Sequence, residues 1–226
     1  MLNRRSFVSL AAVFATGGAA AIGASSDAPV GDEDVSPPED LMREHGALNR
    51  ILLIYDRAHS EISRGNKFPL DVLHSAANTI QSFIESYHEK LEEDYLFPRF
   101  EKAGKHVDLV HILLSQHQAG RLITADILGL AQEKSLTAKQ KEKLLARLES
   151  FVRMYRPHEA REDTVLFPAF RDIASKTEFE ALGEKFEKKE HELFGADGFE
   201  GVVARIAELE QRVGIYDLAQ FTPKTD

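Results

Sequence analysis

Residues 88–100 read HEKLEEDYLFPRF and residues 158–170 read HEAREDTVLFPAF, so one pattern, H-E-x-x-E-x-x-x-L-F-P-x-F, occurs twice in the chain. If each copy is helical, side chains at i and i+4 share a face and stand about 6 Å apart along the axis. His88 then faces the same way as Glu92, and His158 the same way as Glu162. The flanking Leu, Val and Phe mark both stretches as buried. A buried carboxylate without a partner must be protonated or find a positive charge, so two of them in one core are very costly. Metal ions would supply that charge.

Working outward, apolar residues recur at alternating intervals of four and three, the period of an amphipathic helix. Leu41, His45, Leu48, Leu52 and Tyr55 form the stripe of a first helix, ended by Gly65-Asn66. A second begins near Pro69 and carries Leu73, Ala77, Ile80, Ile84, His88, Leu91 and Tyr95 up to Pro98. A third, from about His106 to Lys134, has Val110, Leu113, His117, Thr124 and Leu128. The fourth, from about Thr137 to Phe167, places Leu144, Leu148, Phe151, Tyr155, His158, Glu162 and Val165 on one line. Short connections and the absence of a strand signal predict an all-α protein, an up-down-up-down four-helix bundle.

Each half of that bundle supplies one helix with a single inward His (His45, His117) and one with H-E-x-x-E. Six ligand-type side chains, His45, His88, Glu92, His117, His158 and Glu162, therefore converge. Imidazole and carboxylate together suit Fe, Mn or Zn. Four His and two bridging Glu give each of two ions two nitrogens and two oxygens, with positions left for a solvent bridge and an exogenous ligand. Glu89 and Glu159 lie about 100° round the helix from the ligand face and read as charges beside the ligands or on the surface. Tyr155 reads as packing. His59, His74, His106, His111 and His191 are off register. Pro157, inside the fourth helix, removes a backbone donor immediately before His158, and a kink there is expected to aim that imidazole.

The remaining segments set the frame. Asn3-Arg4-Arg5-Ser6-Phe7-Val8 followed by an Ala/Gly-rich apolar stretch resembles a twin-arginine signal, expected over 1–24, with a Pro/Asp/Ser-rich linker over 25–38. The expected bundle covers 39–173, and a C-terminal helical extension 174–226, with stripes Phe179, Leu182, Phe186, Leu193 and Phe199, Val202, Ile206, Leu209, Val213. That extension could cap the bundle, gate the metals or form a dimer face. The expected location is periplasmic or extracytoplasmic, reached through the twin-arginine export machinery. Among 226 residues there is no Cys, so no disulfide and no thiolate ligand. A net charge of −9 without a basic stripe argues against nucleic acid as a partner.

The arrangement H…H-E-x-x-E…H…H-E-x-x-E, with L-F-P closing the second and fourth helices, resembles the hemerythrin-like family of HHE cation-binding domains. The resemblance implies a non-heme di-iron centre of two Fe ions, with His45, His88, His117 and His158 as terminal ligands and Glu92 and Glu162 as bridges. It also implies small ligands such as O2, NO or peroxide. Oxygen-carrying members have a second His at i+4 on the third helix, where this chain has Arg121, and a bridging Asp where it has Glu162. Both departures count against reversible oxygen carriage. They place the chain nearer the bacterial branch, which includes di-iron repair proteins; an iron-sulfur repair role is disfavoured by the export signal and the lack of Cys. Two functions are expected: a di-iron protein that binds O2, NO or peroxide or handles iron, or a di-iron oxidoreductase turning over peroxide or nitric oxide.

Overall fold

The structure, a computed structural model, describes residues 36–225. The signal-like segment and most of the expected linker lie outside the described residues. Helix α1 (Pro37–Ser63) starts two residues earlier than the expected bundle boundary, because Pro37 and Pro38 occupy its first turn. A proline there sacrifices an N–H that has no partner within the helix, and the Ser36 amide donates to Glu39 Oε2 at 3.0 Å.

Helix α2 spans 70–103, α3 is Val107–Ala131 and α4 spans 138–170. Their connections are short, and α2–α3 turns in three residues with Gly104 left-handed at φ 63°. Thr137 and Gln140 open α4 with reciprocal bonds, Thr137 N to Gln140 Oε1 at 2.9 Å and Gln140 N to Thr137 Oγ1 at 3.3 Å. Each helix packs on the next and α4 closes back on α1, a ring of four. Strands are absent among the described residues. No helix among them is long and apolar enough to cross a membrane.

Prolines 98 and 168 do not end their helices. In α2 the chain passes through π-helical turns at Ile80–His88 and Glu92–Leu96 and continues as Phe97–Ala103. In α4 it passes through Glu162–Leu166 and continues as Phe167–Phe170. A proline cannot donate to the carbonyl four residues back, and its ring crowds it. A wider i→i+5 turn opens the helix at that place. The extra residue rotates everything beyond the two Glu. Tyr95 and Val165, expected on the inner stripes, are only partly buried, while Leu96 and Leu166 are fully buried.

At Pro157, by contrast, the α-helix runs unbroken over Ala138–Arg161. The kink expected there to aim His158 comes with no break in the helix.

Helices α5 (Lys176–Phe194) and α6 (Gly198–Arg212) pack on the bundle. Leu182, Phe186, Val202, Ile206 and Leu209 are buried, and Arg50 Nε of α1 donates to Glu210 Oε1 at 3.0 Å. Of the three roles open to the extension, the structure shows a cover over α1 and α2.

Candidate metal centre

Near the middle of the ring, all six expected residues meet, with 0–3% of their surfaces exposed. The imidazoles form two pairs: His45 Nε2 lies 3.0 Å from His88 Nε2, and His117 Nε2 lies 3.2 Å from His158 Nε2. The carboxylates span the pairs. Glu92 places Oε1 3.7 Å from His88 Nε2 and Oε2 3.4 Å from His117 Nε2. Glu162 Oε2 stands 3.4 Å from His45 Nε2 and 3.1 Å from His158 Nε2. One ligand atom from each of His45, His88 and Glu92 can meet at a single ion, and the same holds for His117, His158 and Glu162.

Four further residues turn the ring nitrogens inward. His45 Nδ1 is bonded to Asp163 Oδ1 at 2.8 Å, and His88 Nδ1 to Glu44 Oε2 at 2.8 Å. His117 Nδ1 is bonded to Glu93 Oε1 at 3.1 Å, and His158 Nδ1 to Gln116 Oε1 at 2.9 Å. Each His donates Nδ1–H to the helix that precedes it round the ring, α1 to α4, α2 to α1, α3 to α2 and α4 to α3. This fixes the tautomer with Nε2 free as a ligand atom. The Phe of each L-F-P repeats the pattern, with Phe167 stacked on His45 at 5.6 Å and Phe97 on His117 at 5.6 Å between centroids.

Sequence reasoning passed over these four polar residues. The signal was adjacency: Glu44 and Gln116 precede a ligand His, while Glu93 and Asp163 follow a ligand Glu.

Glu89 and Glu159 point away from the ligand atoms. Glu89 accepts from Tyr155 Oη at 2.6 Å and from Arg121 at 2.6 Å. Arg121 also donates to Glu93 Oε1 at 2.6 Å. Its guanidinium thus fills the place beside His117 where Glu89 and Glu93 gather. Tyr155 packs as expected, stacked on Phe151 at 4.3 Å, and its hydroxyl adds a bond not anticipated. In the other half, Asn49 stands at i+4 from His45, as Arg121 does from His117, and donates to Glu159. Burial pushes Glu89 up to about 8 and Glu159 up to about 7.

The buried carboxylates and imidazoles of the pocket shift one another's protonation. Burial, and then the charge of Glu162, raise Glu92 well above the ordinary carboxylate range. Burial acts on Glu162 in the same sense, but His158 and His45 outweigh it and hold it low. Burial opposes a charge on His45 too, yet Asp163 and Glu162 lift it to about 10, while burial and the charge of His45 depress His88. All four oxygens of Glu92 and Glu162 are buried without a well-formed hydrogen bond. Native cores rarely leave such atoms orphaned. Four oxygens and four inward nitrogens are the donor set that a pair of iron ions takes, so the residues present fit the group.

A closed ring of four helices with this donor set defines a carboxylate-bridged dinuclear metal protein. The chain belongs to the hemerythrin family: the hemerythrin HHE cation binding domain matches residues 36–170. It is 45% identical over 196 residues to uncharacterized proteins of Mycobacterium bovis and of two strains of Mycobacterium tuberculosis, covering 86% of this chain and 77% of each relative. No solved structure matches it. The two His/His/Glu triads match a non-heme di-iron site of hemerythrin type.

Proposed function

We propose that the chain is a di-iron protein in which His45, His88, His117 and His158 are terminal ligands, Glu92 and Glu162 are bridges, and a small molecule such as O2, NO or peroxide is the ligand. The observation that carries this reading is that both orphaned carboxylates face imidazoles of both pairs. The iron pair, when bound, supplies reversible one- and two-electron exchange and open coordination positions. The protein's part is to hold four nitrogens in one tautomer and to keep bulk water away through Phe97 and Phe167. Arg121 takes no part in ligation, since a guanidinium has no lone pair to offer and here is bound to Glu89 and Glu93.

A second reading, turnover of peroxide or nitric oxide, is favoured by one feature. Glu89, lifted to about 8, joins the Tyr155 hydroxyl to Arg121. Arg121 in turn lines a surface cleft of about 700 Å3 with Glu85 and Lys90. Glu89 can thus hold a proton on the Tyr155 hydroxyl side, and the Tyr155 ring packs 5.4 Å from that of His158.

The two readings separate on the reduced, iron-loaded protein. Stoichiometric binding of nitric oxide without continued consumption of NO or peroxide supports the binding protein. Sustained consumption, abolished in Glu89→Gln with iron content unchanged, supports the oxidoreductase. Failure to bind NO at all would overturn the first reading. Export by the twin-arginine route, supported by Asn3-Arg4-Arg5-Ser6-Phe7-Val8, completes the proposal. Fusing residues 1–35 to a reporter tests it, and a reporter retained in the cytoplasm would refute it.

A further inference from the structure

The ring of Nδ1 bonds changes character in one place. Three of the four imidazoles lean on a carboxylate, and the fourth, His158, leans on the neutral amide of Gln116 at 2.9 Å. The surroundings amplify the difference. His45 and His88 are backed by Asp163 and Glu44, each at 2.8 Å. Among the described residues, neither Asp163 nor Glu159 nearby is paired with Lys or Arg, Glu159 being held by the neutral Asn49. His117 is backed by Glu93 at the longer distance of 3.1 Å. Glu93 divides its charge between Arg121 and Lys90 as well. The related positions of the two halves thus carry Glu44 against Gln116, and Asn49 against Arg121. The folded halves are alike in ligands and unlike in charge.

A carboxylate on Nδ1–H makes a charge-assisted bond and strengthens the imidazole as a donor, and losing such a partner typically costs about 10–100-fold in metal affinity. A cation beside the other half acts against metal charge there. From this geometry we infer that the two metal positions are unequal: the one built on His45 and His88 retains its ion, and the one built on His117 and His158 exchanges it, with Gln116 as the positioning residue that sets the difference. The inference rests on the di-iron reading.

The test is removal of iron from the anaerobic ferrous protein by bipyridine, followed by absorption of the ferrous chelate. Two phases of equal amplitude are expected, about 10–100-fold apart in rate. His117→Ala should leave only the slow iron, and His45→Ala only the fast one. Gln116→Glu should slow the fast phase at least about 10-fold. Asp163→Asn, which keeps the acceptor and removes the charge, should speed the slow phase by a similar factor. A single phase releasing two irons would overturn the inference while sparing the di-iron reading, as would a fast phase unmoved by Gln116→Glu together with a slow phase unmoved by Asp163→Asn. A fully loaded protein holding fewer than two irons would instead overturn the reading beneath it.

Discussion

Glu92 shows what this core is built for. Its side chain is wholly buried, both oxygens lack a well-formed partner, and burial together with Glu162 works against its ionised form. In the metal-free protein that is a standing cost, since a buried polar group left unsatisfied is destabilising. Replacing buried charged groups by apolar ones of similar volume often stabilises a fold by about 1–4 kcal/mol. Glu92→Leu should therefore raise the stability of the metal-free protein in a denaturant titration by about 1–3 kcal/mol, and should abolish binding of both ions. A loss of stability in the metal-free variant would mean that Glu92 has a structural partner. The convergence of the six proposed ligands was legible because spacing along one helix places His and Glu together. Their supports were not, since Glu44 meets His88 and Gln116 meets His158 only across helices, where no spacing rule reaches. Arg121 lay between the two: its face was readable at i+4 from His117, but the share it takes of Glu89 and Glu93 depends on how α2 and α3 dock.

At the scale of elements, close approach and π turns decide the geometry. Helices α3 and α4 approach at Gly120, where an added Cβ would lie 2.2 Å from the Tyr155 hydroxyl. Gly120→Ala must push Tyr155 off Glu89, and overpacking of this kind costs about 1–3 kcal/mol. Chemical denaturation measures it, and an unchanged midpoint would show that Tyr155 can move freely. Pro157 gives the opposite expectation. It lies inside an unbroken helix, and the bond to Gln116 orients His158. Pro157→Ala should raise stability by up to about 3 kcal/mol and leave iron content unchanged; a fall in iron content would restore the kink to a functional role. The period of 3.6 served well as far as Glu92 and Glu162 and then failed by one residue, so that Leu96 and Leu166 took the places expected for Tyr95 and Val165. The L-F-P prolines are visible in sequence, but whether a helix ends or widens at a proline is settled by what lies beyond. Here Phe97 and Phe167 stack on His117 and His45, and Phe100 and Phe170 pack in the core.

Across the molecule, two covers share the work of keeping the centre dry and rigid. The four-helix ring supplies all six proposed ligands, and α5 and α6 close over α1 and α2, with Phe186 and Ile206 almost fully buried. Phe186→Ala or Ile206→Ala should cost about 2–5 kcal/mol while the iron content of the folded fraction stays the same. Loss of iron without loss of stability would give the extension a direct part in the site. The apolar stripes of these helices were readable, but the choice among cap, gate and dimer face was not, because a stripe states that a face is covered and not by what. Metal joins the two scales, since ions that bind only the folded chain add to its stability, by about 2.7 kcal/mol per site at a hundred times Kd.

The proposed function requires a pair of irons joined by Glu92 and Glu162. Its most direct measurement is the iron content of the folded, oxidised protein, taken on the same sample as its Mössbauer spectrum. Two irons per chain in a single magnetically coupled ferric pair are expected. One iron per chain, or two irons with uncoupled spectra, would contradict it.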